Sequence, residues 1–144
     1  MGTYNVGSYT SPFAIAFDGT NIWVTDTGNN TVIKILASTG AVVGTYYTVG
    51  TFPDGVAFDG TNIWVTNGHS TNVVKFMASS GAFLASYTVG SFPYGVAFDG
   101  TNIWVANDNS NTVTKLLASS GAVLGTYPVG SYPQAIAFDG PMFG

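Results

Sequence analysis

Apolar residues in this chain come in short runs, and each run stops at glycine, asparagine, serine or proline. "GVAFD" is closed by Asp-Gly, a hairpin turn signal. "NIWVT" follows, rich in the β-branched and aromatic residues that suit a pleated, half-buried surface. A loop of Asn, Gly, Ser and Thr separates it from "NVVKFMA". "SSG" makes another turn, and "AFLASYTV" ends at "GSFP", where glycine and proline interrupt again. No segment shows the 3.6-residue period of an amphipathic helix, and the content of Gly, Thr, Asn and Val is poor for helices. The pattern predicts short strands joined by tight turns.

The four segments recur as a unit. "VAFDGTNIWV" stands at 56–65 and again at 96–105, "IAFDGTNIWV" at 15–24, and a stump, "IAFDG", at 135–139. Trp23, Trp64 and Trp104 are 41 and 40 residues apart, and Lys34, Lys75 and Lys115 keep the same spacing. The one extra residue of the first unit falls at Tyr46-Tyr47, where the later units have the single tyrosines Tyr87 and Tyr127. An insertion in a strand reads as a bulge. Four strands in every 40-residue unit predict an all-β fold, a β-propeller made of four-stranded blades. Residues 1–144 form a single propeller segment, with full blades near 12–51, 52–91 and 92–131 and strand fragments at 1–11 and 132–144.

The unit "FPYGVAFDGTNIWVANDNSNTVTKLLASSGAVLGTYPVG" resembles the NHL and YVTN-type repeats of bacterial and archaeal β-propellers, with "IWVTN" at 63–67 standing where that family writes Tyr-Val-Thr-Asn. The resemblance covers nearly the whole chain. It implies that the first strand of each blade lines a central channel and the fourth is outermost. Such families include surface-layer proteins, sugar-lactone hydrolases, an antibiotic lyase and protein-binding platforms. The near-identity of the units is also similar to that of amplified or designed symmetric propellers.

Charge narrows the function. The chain has seven Asp, three Lys and a net charge of −4, with no Glu or Arg. Three scattered cations argue against nucleic acid, which needs clustered ones, and against an anionic membrane surface. The absence of cysteine removes disulfides and thiolate metal sites. "MGTYNVGSYTSP" has no charged and apolar signal regions and does not fit a myristoylation site. No apolar run reaches the roughly 18 residues of a spanning helix. Abundant Thr, Asn, Ser and Gly resemble extracellular surface proteins, and location stays open.

Four aspartates, Asp18, Asp59, Asp99 and Asp139, recur in register. They could suggest a metal ring, but Asp before Gly is a turn corner that accepts backbone N–H bonds, and each belongs to its own blade. No metal or cofactor is expected. A four-residue loop between second and third strands places Trp23 opposite Lys34, Trp64 opposite Lys75 and Trp104 opposite Lys115, a cation–π arrangement. His69 is the only histidine; its counterparts Gly28 and Asn109 are ordinary loop residues, so no catalytic role is assigned.

The positions that vary within the unit are the candidate ligand contacts. The residue after proline reads Phe13, Asp54, Tyr94, Gln134. The loop after the second strand carries His69 and Asn109. Together they suit a shallow polar and aromatic site near the channel entrance, apt for carbohydrate or peptide. The expected function is a non-enzymatic scaffold or binding module working as a homo-oligomer. The rival readings are a propeller hydrolase or lyase and an engineered or reconstructed fragment without a natural ligand. Three blades make an arc whose apolar end faces invite burial against another copy, head to tail. A dimeric six-bladed ring is the first expectation, with a trimer or an open array as alternatives. "GTYNVGSY" at 2–9 matches "GTYPVGSY" at 125–132, and Pro141 stops the fourth copy of the hairpin.

Overall fold

Every regular element in the described part of the chain is a strand. The computed structural model describes residues 1–5 and 10–141. Residues 6–9 of the N-terminal fragment and 142–144 of the C-terminal one lie outside the described residues. The strands are β1 (Pro12–Phe17), β2 (Asn21–Asp26), β3 (Thr31–Leu36), β4 (Val42–Tyr47), β5 (Pro53–Phe58), β6 (Asn62–Asn67), β7 (Asn72–Met77), β8 (Phe83–Thr88), β9 (Pro93–Phe98), β10 (Asn102–Asn107), β11 (Thr112–Leu117) and β12 (Val123–Pro128). They form three antiparallel four-stranded sheets, β1–β4, β5–β8 and β9–β12, each in sequence order. The first strands β1, β5 and β9 lie side by side and the fourth strands lie outermost. The fold is all-β, built of propeller blades.

The Asp-Gly corners show why the hairpins turn where they do. Gly19, Gly60 and Gly100 hold φ of 97°, 96° and 96°, a region that glycine enters without strain. Asp18 Oδ1 accepts from the backbone N–H groups of Thr20 and Asn21 at 2.9 and 2.7 Å. Its Oδ2 accepts from the indole of Trp23 at 2.8 Å. Asp59 with Trp64 and Asp99 with Trp104 repeat the bond at 2.7 Å. One carboxylate thus closes the turn and orients the largest core side chain.

Trp23 and Trp64 look forward onto the next blade. Trp23 and Val32 pack on Ile63, Val65 and Phe76 of the second blade, and Trp64 and Val73 on Ile103, Val105 and Leu116 of the third. Trp23 and Trp64 are 0% exposed, while Trp104, with no following blade, is only half-buried. The ladder pairs Trp23 with Lys34, Trp64 with Lys75 and Trp104 with Lys115. The ammonium groups stand 5.2, 5.1 and 5.1 Å from the ring centroids. The lysines also fasten neighbouring blades: Lys34 Nζ donates to Ala78 O at 2.7 Å and Lys75 Nζ to Ala118 O at 2.9 Å.

The extra residue of the first unit does not form a bulge at Tyr46-Tyr47. Tyr46 and Tyr47 pair with Val32 and Thr31 as Tyr87 and Thr88 pair with Val73 and Asn72. The outer strands do bulge, but in all three blades alike, between the partners of Lys34/Ile35, Lys75/Phe76 and Lys115/Leu116. The insertion is absorbed beyond the strand, at Val49, whose φ is 51°. Thr48 N still donates to Asn30 O as Val89 N does to Thr71 O, so the ladder end is unshifted. A connection can take up an added residue without breaking ladder bonds, which an interior strand position cannot.

The described end residues are not strands, contrary to expectation, because no partner strand of their own blade lies beside them. They nevertheless lie where a further blade would begin and end. The Tyr4 ring packs over Gly40 as Tyr46 packs over Gly81 and Tyr87 over Gly121. Gly95 lies against Gln134 O as Gly55 lies against Tyr94 O.

Candidate functional site

A bulge at the start of each inner strand shapes the channel mouth. Pro12 pairs with Asp26 but Ile15 with Val24, so the two strands differ by one residue between these points, and β5 and β9 repeat the irregularity. A bulge re-aims side chains at a sheet's rim, and Phe13, Asp54 and Tyr94 are the residues that follow the proline there. Thr25 Oγ1 fills the first bulge, accepting from Ala14 N at 2.9 Å and donating to Asp54 O of the next blade at 2.8 Å. Thr66 does the same between Gly55 N at 2.8 Å and Tyr94 O at 2.5 Å. The third blade has Ala106 here and no hydroxyl.

Phe13, Tyr94 and Gln134 are brought together. They line a cavity of about 380 Å³ along the inner strands, together with Gly55, Gly95 and Ala135. The Phe13 and Tyr94 rings lie 6.3 Å apart at 46°. Gln134 Nε2 donates to Asp108 Oδ2 at 3.0 Å. Asp54 does not join the lining. It is 3% exposed, with its carboxylate against Gly68, and burial raises its pKa to about 6. Burial, with the charges of Asp54 and Asp108 added, also raises the Tyr94 phenol above its ordinary value.

His69 lies against two phenylalanines. Its ring stacks on Phe52 with centroids 3.8 Å apart, and the Phe92 ring lies tilted beside it at 5.4 Å. Phe52 and Phe92 precede prolines and hold φ of 55° and 54°, sparsely populated for bulky residues. Asn109 stays apart, exposed on its loop with its backbone N–H donating to Ser91 O at 3.2 Å. Sequence reasoning missed Phe52 and Phe92 because "FP" repeats and so reads as scaffold. It also passed over Asp108, whose signal was its place in the variable loop.

Among the described residues, no group of three His, Cys, Asp or Glu side chains is placed to hold a metal ion. Asp18, Asp59 and Asp99 are each occupied by their own corner. No helix of the described residues is long and apolar enough to cross a membrane, which says nothing of strands.

No family model matches the sequence, and no curated protein matches it. Solved structures do. The chain is similar to Kuenenia stuttgartiensis hydrazine synthase, with 22% identity and a TM-score of 0.81 over 93% of this chain and 40% of that one. It is similar to the WD40 repeats of RRP9, with 17% identity and a TM-score of 0.81 over 92% of this chain and 43% of that one. It is also similar to virginiamycin B lyase from Staphylococcus aureus, with 21% identity and a TM-score of 0.77 over 93% of this chain and 47% of that one. The chain thus spans less than half the length of these propellers, and likeness at this identity concerns the fold.

Proposed function

We propose that this chain is a non-enzymatic β-propeller scaffold of the NHL/YVTN type that works as a head-to-tail assembly of its own copies and presents a ligand site at the channel mouth. The observation that carries the assembly is the pair of unlike end faces on the three-blade arc. The forward face carries Trp104, Lys115 and Tyr127, the groups that join blades elsewhere. Lys34 and Lys75 each reach a carbonyl of the following blade, and Lys115 has no following blade to reach. The rear blade carries Ile22, Val24, Ile33 and Ile35, a separate apolar cluster of which Val24, Ile33 and Ile35 are already buried in the single chain. These match Ile63, Val65, Val74 and Phe76, on which Trp23 packs. A copy's rear face therefore repeats the surface that a forward face already meets twice within the chain. Such contacts close into rings or run on as filaments, and two copies supply six blades.

At the mouth, the Phe13 and Tyr94 rings with the Gln134–Asp108 pair offer an apolar face beside hydrogen-bonding groups. That combination suits a carbohydrate or a peptide. Two observations support a binding role over a lyase or hydrolase role: His69 is flanked by phenylalanines rather than by a carboxylate that would orient it as a base, and Asp54 is turned away from the lining. The lysines are engaged with indole rings, which supports a partner other than nucleic acid.

Sedimentation velocity of the 144-residue chain and of Trp104→Asp tests the reading. The unmodified chain sediments as a multiple of 14.9 kDa, and the charge buried at the junction returns the variant to a folded single copy. Identical sedimentation of both at the single-copy mass contradicts it. Glycan and peptide arrays probed with the unmodified chain and Tyr94→Ala test the mouth, with binding expected to be lost in the variant.

A further inference from the structure

We propose that residues 133–138 are a donor strand. In the assembly they pair with β2 of the next copy, in the place that β1 holds in the single chain, and that copy's β1 is released. The exchange presupposes the head-to-tail assembly proposed above.

The two strands are nearly the same sequence. Residues 12–17 read PFAIAF and 133–138 read PQAIAF, differing only at Phe13 and Gln134. The C-terminal segment already occupies an inner-strand position, since Gly95 lies against Gln134 O as Gly55 does against Tyr94 O. Among the described residues it has no sheet partner on its far side, and Phe138 is 48% exposed. When the first blade of another copy docks on the third blade of this one, its β1 needs the same place. Two strands then compete for one edge of β2.

Gln134 decides the competition. Asp108 is buried, and its carboxylate accepts from Gln134 Nε2 at 3.0 Å. Phe13 in that place has no donor to offer, and a buried carboxylate left unpaired is costly. At the earlier junctions a threonine hydroxyl clamps the main chain of the incoming strand, from Thr25 to Asp54 O and from Thr66 to Tyr94 O. Ala106 cannot do this, so at the third junction the side-chain bond to Gln134 stands in for the missing clamp. Packing agrees. Ile136 and Phe138 already wall a cavity of about 320 Å³ beside Trp104. Pairing with the next copy's β2 brings Ile22 and Val24 there, as Ile63 and Val65 meet Trp23. The strand displaced is also the most exposed of the inner strands: Ile15 is 66% and Phe17 56% exposed, against 9% for Val56.

Because the chain has no cysteine, engineered pairs report the exchange without background. Ile15 faces Val24 across β1 and β2, so a donated Ile136 faces Val24 of the next copy. The variant Ile136→Cys/Val24→Cys is expected to oxidise into covalent oligomers on a non-reducing gel, while Ile15→Cys/Val24→Cys stays largely reduced in the assembly. Adding Gln134→Phe, which makes the strands identical and removes the partner of Asp108, is expected to lower the intermolecular yield severalfold. If the assembly forms and Ile15→Cys/Val24→Cys instead closes within each chain, the donor strand is overturned and the head-to-tail reading survives. If the unmodified chain stays a single copy by light scattering and neither pair links copies, both are overturned.

Discussion

Trp23 and Trp64 are the largest fully buried side chains. Trp64 is fully buried, donates its indole N–H to Asp59 at 2.7 Å and lies beneath the Lys75 ammonium. Trp64→Ala is expected to lower stability by about 3–5 kcal/mol, the range for large-to-small core changes, and to leave Asp59 without its partner. Urea unfolding monitored by circular dichroism checks this, and a loss below about 1 kcal/mol contradicts the packing described. Asp54 carries the opposite sign. Its carboxyl is raised to about 6 by burial, so between about pH 4 and 6 the unfolded chain releases a proton that the folded chain retains. Stability from this residue is highest below pH 4, falls through that window and is level above it. Asp54→Asn is expected to be the more stable chain above pH 6 and to lose this slope. Equal slopes for both proteins across pH 4–6 contradict the assignment. Asp99 acts at a lower pH: burial raises it, but hydrogen bonds from Trp104, Asn102 and Thr101 outweigh this and bring it to about 2. Its contribution is present above the usual carboxylate range and is lost as pH falls toward 2.

Among the elements, the connection between β4 and β5 holds the main departure from the repeat. Val49 sits at φ 51°, a strained position for a β-branched residue. The same insertion leaves Asn67 Oδ1 buried without a hydrogen-bond donor. Asn107, the counterpart in the next blade, accepts from Gly90 N at 3.1 Å. Deleting Val49 restores the 40-residue unit and brings Gly50 N to the place that Gly90 N takes. The deletion is expected to raise stability by about 1–3 kcal/mol through relieved strain and a recovered hydrogen bond, read as a higher urea midpoint; a lowered midpoint contradicts this. The strands themselves were legible in the sequence because turn residues bracket every apolar run, and the Trp–Lys register followed from loop length alone. The insertion was misplaced because spacing reveals that a residue was added, while ladder hydrogen bonds decide where it goes. Phe13, Tyr94 and Gln134, singled out because they vary within a fixed unit, line one cavity in the structure. Phe52 and Phe92 were hidden by their repetition, and the inward turn of Asp54 depends on a main-chain bulge that composition does not express.

For the whole molecule, the tryptophan and lysine that join the interior junctions have a copy at the forward end that meets no further blade. Trp104 is half-buried where Trp23 and Trp64 are wholly so. The Lys115 ammonium lies 5.1 Å from the Trp104 centroid, with no following blade whose carbonyl it could reach. Two short terminal segments occupy fragments of the missing neighbours' places, Tyr4 at Gly40 and Gln134 at Gly95. The rear cluster of Ile22, Val24, Ile33 and Ile35 repeats the surface that each forward face already fits. Static light scattering of the unmodified 144-residue chain, coupled to gel filtration at micromolar concentration, tests this claim most directly. The account predicts a folded species of twice 14.9 kDa, a closed six-bladed dimer. A stable, folded species of 14.9 kDa contradicts it.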